Sequence, residues 1–163
     1  SLRLTSGSTP SVVCTSPVGT VQHIYFDGRV EKFTPGEFSP GHSFDIFDVD
    51  GDGLDEYIFI DRGILYLYDN NRSEMFTKQF GSEELGGPIN FVFSSSDRKI
   101  GVFEKQRKLI YLIDSEGNEM DGFPLKGASM FSVGRLSDDG GWHLIVGGTD
   151  RFLYNYKLGT ALR

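Results

Sequence analysis

Leu109-Ile110-Tyr111-Leu112-Ile113-Asp114 is a short apolar and aromatic run that stops on a carboxylate at the start of a turn. It is too short for a helix, and its β-branched and aromatic content suits a pleated strand. Three other stretches share its character: Ile24-Tyr25-Phe26-Asp27, Leu65-Tyr66-Leu67-Tyr68-Asp69 and Phe152-Leu153-Tyr154-Asn155-Tyr156-Lys157. The four runs end at positions 27, 69, 114 and 157, spacings of 42, 45 and 43 residues.

The flanks repeat as well. A strand-like segment precedes three of the runs: Tyr57-Ile58-Phe59-Ile60, Ile100-Gly101-Val102-Phe103 and Leu144-Ile145-Val146-Gly147. Tight turns join each to its marker: Asp61-Arg62-Gly63, the segment 104–108 and Thr149-Asp150-Arg151. A further turn and strand follow, as in Val30-Glu31-Lys32-Phe33 and Met75-Phe76-Thr77-Lys78-Gln79-Phe80. A period of about 40–50 residues with four strands per unit is that of β-propeller blades. The expected fold is therefore all-β and propeller-like, with about four blades of four antiparallel strands. One repeat domain spans 1–163, with units near 9–43, 44–87, 88–127 and 128–163. A sandwich or irregular solenoid is the competing reading, and the regular spacing favours blades. Four blades sit at the low end of the propeller range. The array could belong to a larger propeller, close with fewer blades or complete itself by assembly. The opening Ser1-Leu2, in place of Met, suggests a processed or excised chain.

Composition agrees with short strands and tight turns: 14 Phe, 7 Tyr and 21 Gly in 163 residues. Net charge is −7, which repels phosphate backbones and argues against nucleic acid as partner. No apolar stretch is long enough for a membrane-spanning helix, so no membrane insertion is expected. The single cysteine, Cys14, has no partner for an internal disulfide and reads as a small hydrophobe in Ser11-Val12-Val13-Cys14.

Phe47-Asp48-Val49-Asp50-Gly51-Asp52-Gly53-Leu54-Asp55-Glu56-Tyr57 is the stretch that carries chemistry. Asp48, Asp50 and Asp52 take loop positions one, three and five, and Gly53 sits where a calcium loop turns sharply. Leu54 can offer its carbonyl. An EF-hand would close with an acid at position twelve, but that residue is Phe59, inside a strand, so the EF-hand is rejected. Glu56, at position nine, is the acid that can close the loop. Convergent hard oxygens suit calcium better than magnesium, which keeps more of its water.

This motif resembles the calcium loop of FG-GAP/VCBS-type repeats in integrin-α-like β-propellers. Asp114-Ser115-Glu116-Gly117-Asn118-Glu119-Met120-Asp121-Gly122-Phe123-Pro124 is similar to the outer hairpin and exit of such blades. The resemblance implies a loop between the first two strands of a blade, holding one structural calcium ion. Its implied ligands are Asp48, Asp50, Asp52, Glu56 and the Leu54 carbonyl. The other units depart from the pattern. With an offset of 87, Arg135, Ser137, Asp139, Gly140 and His143 fall at the positions of Asp48, Asp50, Asp52, Gly53 and Glu56. Arg135 could pair there with Asp138 or Asp139. The third unit has Ser94-Ser95-Ser96-Asp97-Arg98-Lys99 and the first Cys14-Thr15-Ser16-Pro17. One calcium site is expected, not four.

No catalytic constellation is apparent. His23, His42 and His143 fit no metal-ligand spacing, and neither a nucleophile elbow nor a phosphate-binding glycine loop occurs. Glu83-Glu84 reads as a charged loop, and Trp142 suits packing, a sugar or a protein contact. The expected function is a non-enzymatic binding or scaffold module of an extracellular, periplasmic or cell-surface protein, with a protein or glycan partner. Self-association through uncovered sheets is a further expectation. The alternative is a carbohydrate-active or carbohydrate-binding domain using a propeller face. A quinoprotein is a weaker rival.

Overall fold

The computed structural model describes residues 2–4, 9–136 and 140–159. Among these residues the chain is all-β, built of four antiparallel sheets in chain order. The first holds β1 (Leu2–Leu4), β2 (Ser11–Thr15), β3 (Val21–Tyr25) and β4 (Val30–Phe33). The second holds β5 (Ser43–Phe47), β6 (Glu56–Asp61), β7 (Ile64–Tyr68) and β8 (Glu74–Gln79). The third holds β9 (Leu85–Val92), β10 (Arg98–Glu104), β11 (Leu109–Ile113) and β12 (Leu125–Lys126). The fourth holds β13 (Phe131–Gly134), β14 (Trp142–Gly147) and β15 (Leu153–Leu158).

Every sheet pairs its strands in sequence order, each with the next. The repeated apolar runs are the third strands β3, β7, β11 and β15, and the segments before them are the second strands. Two details correct the sequence reading. Only three strands pair in the fourth sheet among the described residues, not four, because β15 has β14 as its sole partner there. The first sheet begins with β1, ahead of residue 9, where the first unit was expected to start.

The strands alternate by face, and the second and third sheets each feed two cores, the first and fourth one each. Val13 and Val21 of the first sheet meet Phe44, Ile46, Tyr57 and Phe59 of the second. Ile58, Ile60, Leu65 and Leu67 point the other way, onto Ile100, Val102, Tyr111 and Ile113 of the third. Phe103, Ile110 and Leu112 then meet Phe131, Leu144, Val146 and Leu158 of the fourth. β6 is buried at every residue from Glu56 to Asp61, as expected for a strand covered on both faces. This stacking brings the loop after β5 against the loop before β10, and the turn after β10 against the turn after β14.

Candidate metal centre

The loop 48–55 joins β5 to β6, the first two strands of the second sheet. Its shape follows from its own carboxylates. Asp48 Oδ1 accepts the Gly51 N–H at 2.7 Å and Asp48 Oδ2 the Gly53 N–H at 3.1 Å. Asp50 Oδ1 accepts the Asp52 N–H at 3.1 Å, and Asp52 Oδ1 the Leu54 N–H at 2.7 Å. Aspartates bonding backbone N–H groups two to five residues on make a compact turn. Gly51 and Gly53 take φ of 84° and 90°, where a side chain would strain the backbone. A Cβ on Gly51 would also lie 2.6 Å from the Ser95 carbonyl, so the loop sits hard against the next sheet.

Carboxylate oxygens of Asp48, Asp50 and Glu56 lie within 4.8 Å of one another. Asp52 stands outside this group and spends an oxygen on Leu54, whose side chain is 45% exposed. Glu56 is 2% exposed, and its Oε2 accepts the Val49 N–H at 2.6 Å. Burial, together with Asp50, Asp52 and Asp48, pushes the Glu56 carboxyl up to about 7, against the pull of that hydrogen bond. The donors are all hard oxygens, and their shared negative charge is uncompensated within the loop. A calcium ion fits both features.

Arg98, at the start of β10, already supplies one positive charge from the third sheet. Its guanidinium donates to the Asp48 carbonyl at 2.8 Å and pairs with Asp48 Oδ2 at 2.7 Å. Its Nε is buried without a partner, and the group stands 6.0 Å from the Phe47 ring centre. Sequence reasoning missed this residue. An arginine in the shortened third-unit loop was visible, but nothing local says that this loop faces Asp48.

The equivalent loop of the fourth sheet confirms the register. Phe47 pairs with Glu56 and Gly134 with His143, an offset of 87 in both cases. His143 bonds Asn155 at 3.0 Å, and Arg135 lies over the Trp142 ring at 5.0 Å. Ser137, Asp138 and Asp139 lie outside the described residues. Trp142 also meets Phe93 edge-on at 5.1 Å, so its ring is engaged in packing.

A cleft of about 300 Å³ opens beside the loop between the first two sheets. In its wall, His23 bonds Ser11 Oγ through Nδ1 at 3.0 Å and the Tyr57 hydroxyl through Nε2 at 2.9 Å. Burial lowers the His23 pKa and raises that of Tyr57 to about 12, so burial favours the neutral form of each across this inter-sheet link. Arg29 covers one face of Tyr25 at 3.8 Å, and Tyr57 is 5% exposed.

No family model matches the chain, and no curated protein matches it. Solved structures do share its fold. A crystal structure of BBS1N in complex with ARL6DN, soaked with mercury, superposes with a TM-score of 0.60 at 11% identity. That similarity covers 96% of this chain and 53% of the other. The lead-soaked form of the same complex gives 0.58 at 12%, over 96% and 52%. The chain thus has a β-propeller-like fold and spans about half the length of the solved chains it matches.

Proposed function

We propose that this chain is a non-catalytic, protein-binding scaffold of propeller blades, in which the loop 48–55 and Glu56 hold one structural calcium ion. The carrying observation is a buried Glu56 within reach of Asp48 and Asp50, in a loop wedged against the neighbouring sheet. Calcium would supply charge neutralisation and nothing more. The chain's own residues do the rest: Asp48 and Asp50 set the turn, Glu56 closes it, and Arg98 ties it to the third sheet. Holding one inter-sheet seam fixes how neighbouring blades present their loops to a partner. The protein partner is supported by the likeness to BBS1N, which is seen in complex with ARL6DN. The resemblance of the aspartate loop to FG-GAP/VCBS repeats supports the ion. A weak calcium site operates where calcium is abundant, so the reading favours an extracytoplasmic protein.

Calorimetric titration of chelator-treated protein with calcium tests the site. One binding event is expected, lost in Asp50→Ala. Absence of heat at millimolar calcium would reduce the loop to an acidic turn held by Arg98, and would remove the argument for location.

A further inference from the structure

At the end of the stack opposite the aspartate loop, basic side chains gather among the carboxylates Asp61, Glu83, Glu84, Glu104 and Asp150. Here lie the turns between second and third strands. Three of them hold a cation in a left-handed backbone conformation: Arg62 (φ 47°), Lys108 (φ 55°) and Arg151 (φ 69°). Glycine or asparagine adopts that conformation at lower cost. Of the three, Lys108 lines the cavity at this end.

Between the third and fourth sheets these turns border a cavity of about 310 Å³, walled by Arg107, Lys108, Lys126, Thr149 and Tyr154. No carboxylate lines it. Among the described residues neither Lys108 nor Lys126 forms an ion pair. Two carboxylates stand behind the wall. Glu104 is 3.6 Å from Arg107 and accepts the Tyr111 hydroxyl, and Asp150 accepts the Tyr154 hydroxyl at 3.0 Å. The three cations of the wall therefore exceed what these neighbours neutralise, in a chain whose net charge is −7.

We propose that this cavity binds a phosphomonoester, held by Arg107, Lys108 and Lys126. Two lysine point charges beside one guanidinium fork match a compact anion of near double charge better than a single planar carboxylate. The acidic remainder of the molecule repels extended polyanions, which leaves a small, isolated phosphate group as the ligand. This inference goes beyond the scaffold reading and does not depend on calcium, since the cavity lies at the other end of the sheets.

The test is calorimetric titration of the intact chain, in chelator, with inorganic phosphate, a phosphoserine peptide and the matching serine peptide. Phosphate and phosphopeptide should bind, more tightly at low salt, and the serine peptide should not. Lys108→Gln with Lys126→Gln should weaken binding at least tenfold. It should leave the melting temperature unchanged, because Lys108 and Lys126 serve the fold through backbone bonds to Gly127 and Tyr156. A phosphopeptide at least tenfold tighter than phosphate supports the site with a modified protein side chain as the source. Equal affinities support it with a free phosphomonoester as the source. No saturable binding at millimolar ligand, or binding unaltered in the double variant, overturns it.

Discussion

Buried Glu56 and half-buried His23 are titratable groups that pull stability in opposite directions with pH. The Glu56 pKa rises from 4.5 to about 7 on folding. The folded chain therefore binds its proton more tightly than the unfolded chain. That stability is fully present below 4.5 and is lost as pH rises through about 7. His23 has its pKa lowered from 6.5, so its contribution is present above 6.5 and is lost as pH falls through the lowered value. Denaturant titrations in chelator, from about pH 5 to about 8.5, separate the two. Glu56→Gln is expected to flatten the alkaline limb and His23→Gln the acid limb. An unchanged alkaline limb in Glu56→Gln would show that Glu56 is not the group that ionises there.

At the scale of elements, the seam between the second and third sheets has a polar lock over an apolar core. Arg98 on β10 holds both the carbonyl and the carboxylate of Asp48, beside the core of Ile58, Leu65, Ile100 and Ile113. The pair is mostly buried, at 21% and 12% side-chain exposure, so solvent screens it less than a surface pair. Hydrogen bonds to charged groups contribute about 1.5–3 kcal/mol. Arg98→Met should therefore destabilise the metal-free chain by about 1–3 kcal/mol in denaturant titration. The same variant should bind calcium more tightly, since a competing cation has left Asp48. Weaker calcium binding in Arg98→Met would mean that Arg98 builds the loop rather than competes for it.

Across the whole molecule, the three cores are strung in a line, each shared by two adjacent sheets. Stability in such a stack is close to a sum of units and nearest-neighbour interfaces. Leu144 is fully buried in the core between the third and fourth sheets. Leu144→Ala should cost about 2–5 kcal/mol there. Hydrogen exchange should show lost protection across β13–β15 and the facing residues of β11, with β2–β7 retained. Uniform loss across all sheets would indicate a single cooperative unit. The solved chains with this fold are about twice as long, and the likeness covers about half of each.

The aspartate spacing, the repeat length and the alternation of faces are local properties, written in the order of residues. They were sufficient for an all-β chain, for the four marker strands and for a loop between β5 and β6. The turn at Asp48 forms from hydrogen bonds spanning no more than five residues, so it too is legible without the fold. Tertiary structure alone decided which loops touch. Arg98 lies fifty residues from Asp48, and His23 thirty-four from Tyr57, and no local pattern records which sheet faces meet. The convergence of Lys108 and Lys126 with Thr149 and Tyr154 of the fourth sheet has the same origin. Side chains far apart in sequence become neighbours only when sheets stack to bury their apolar faces.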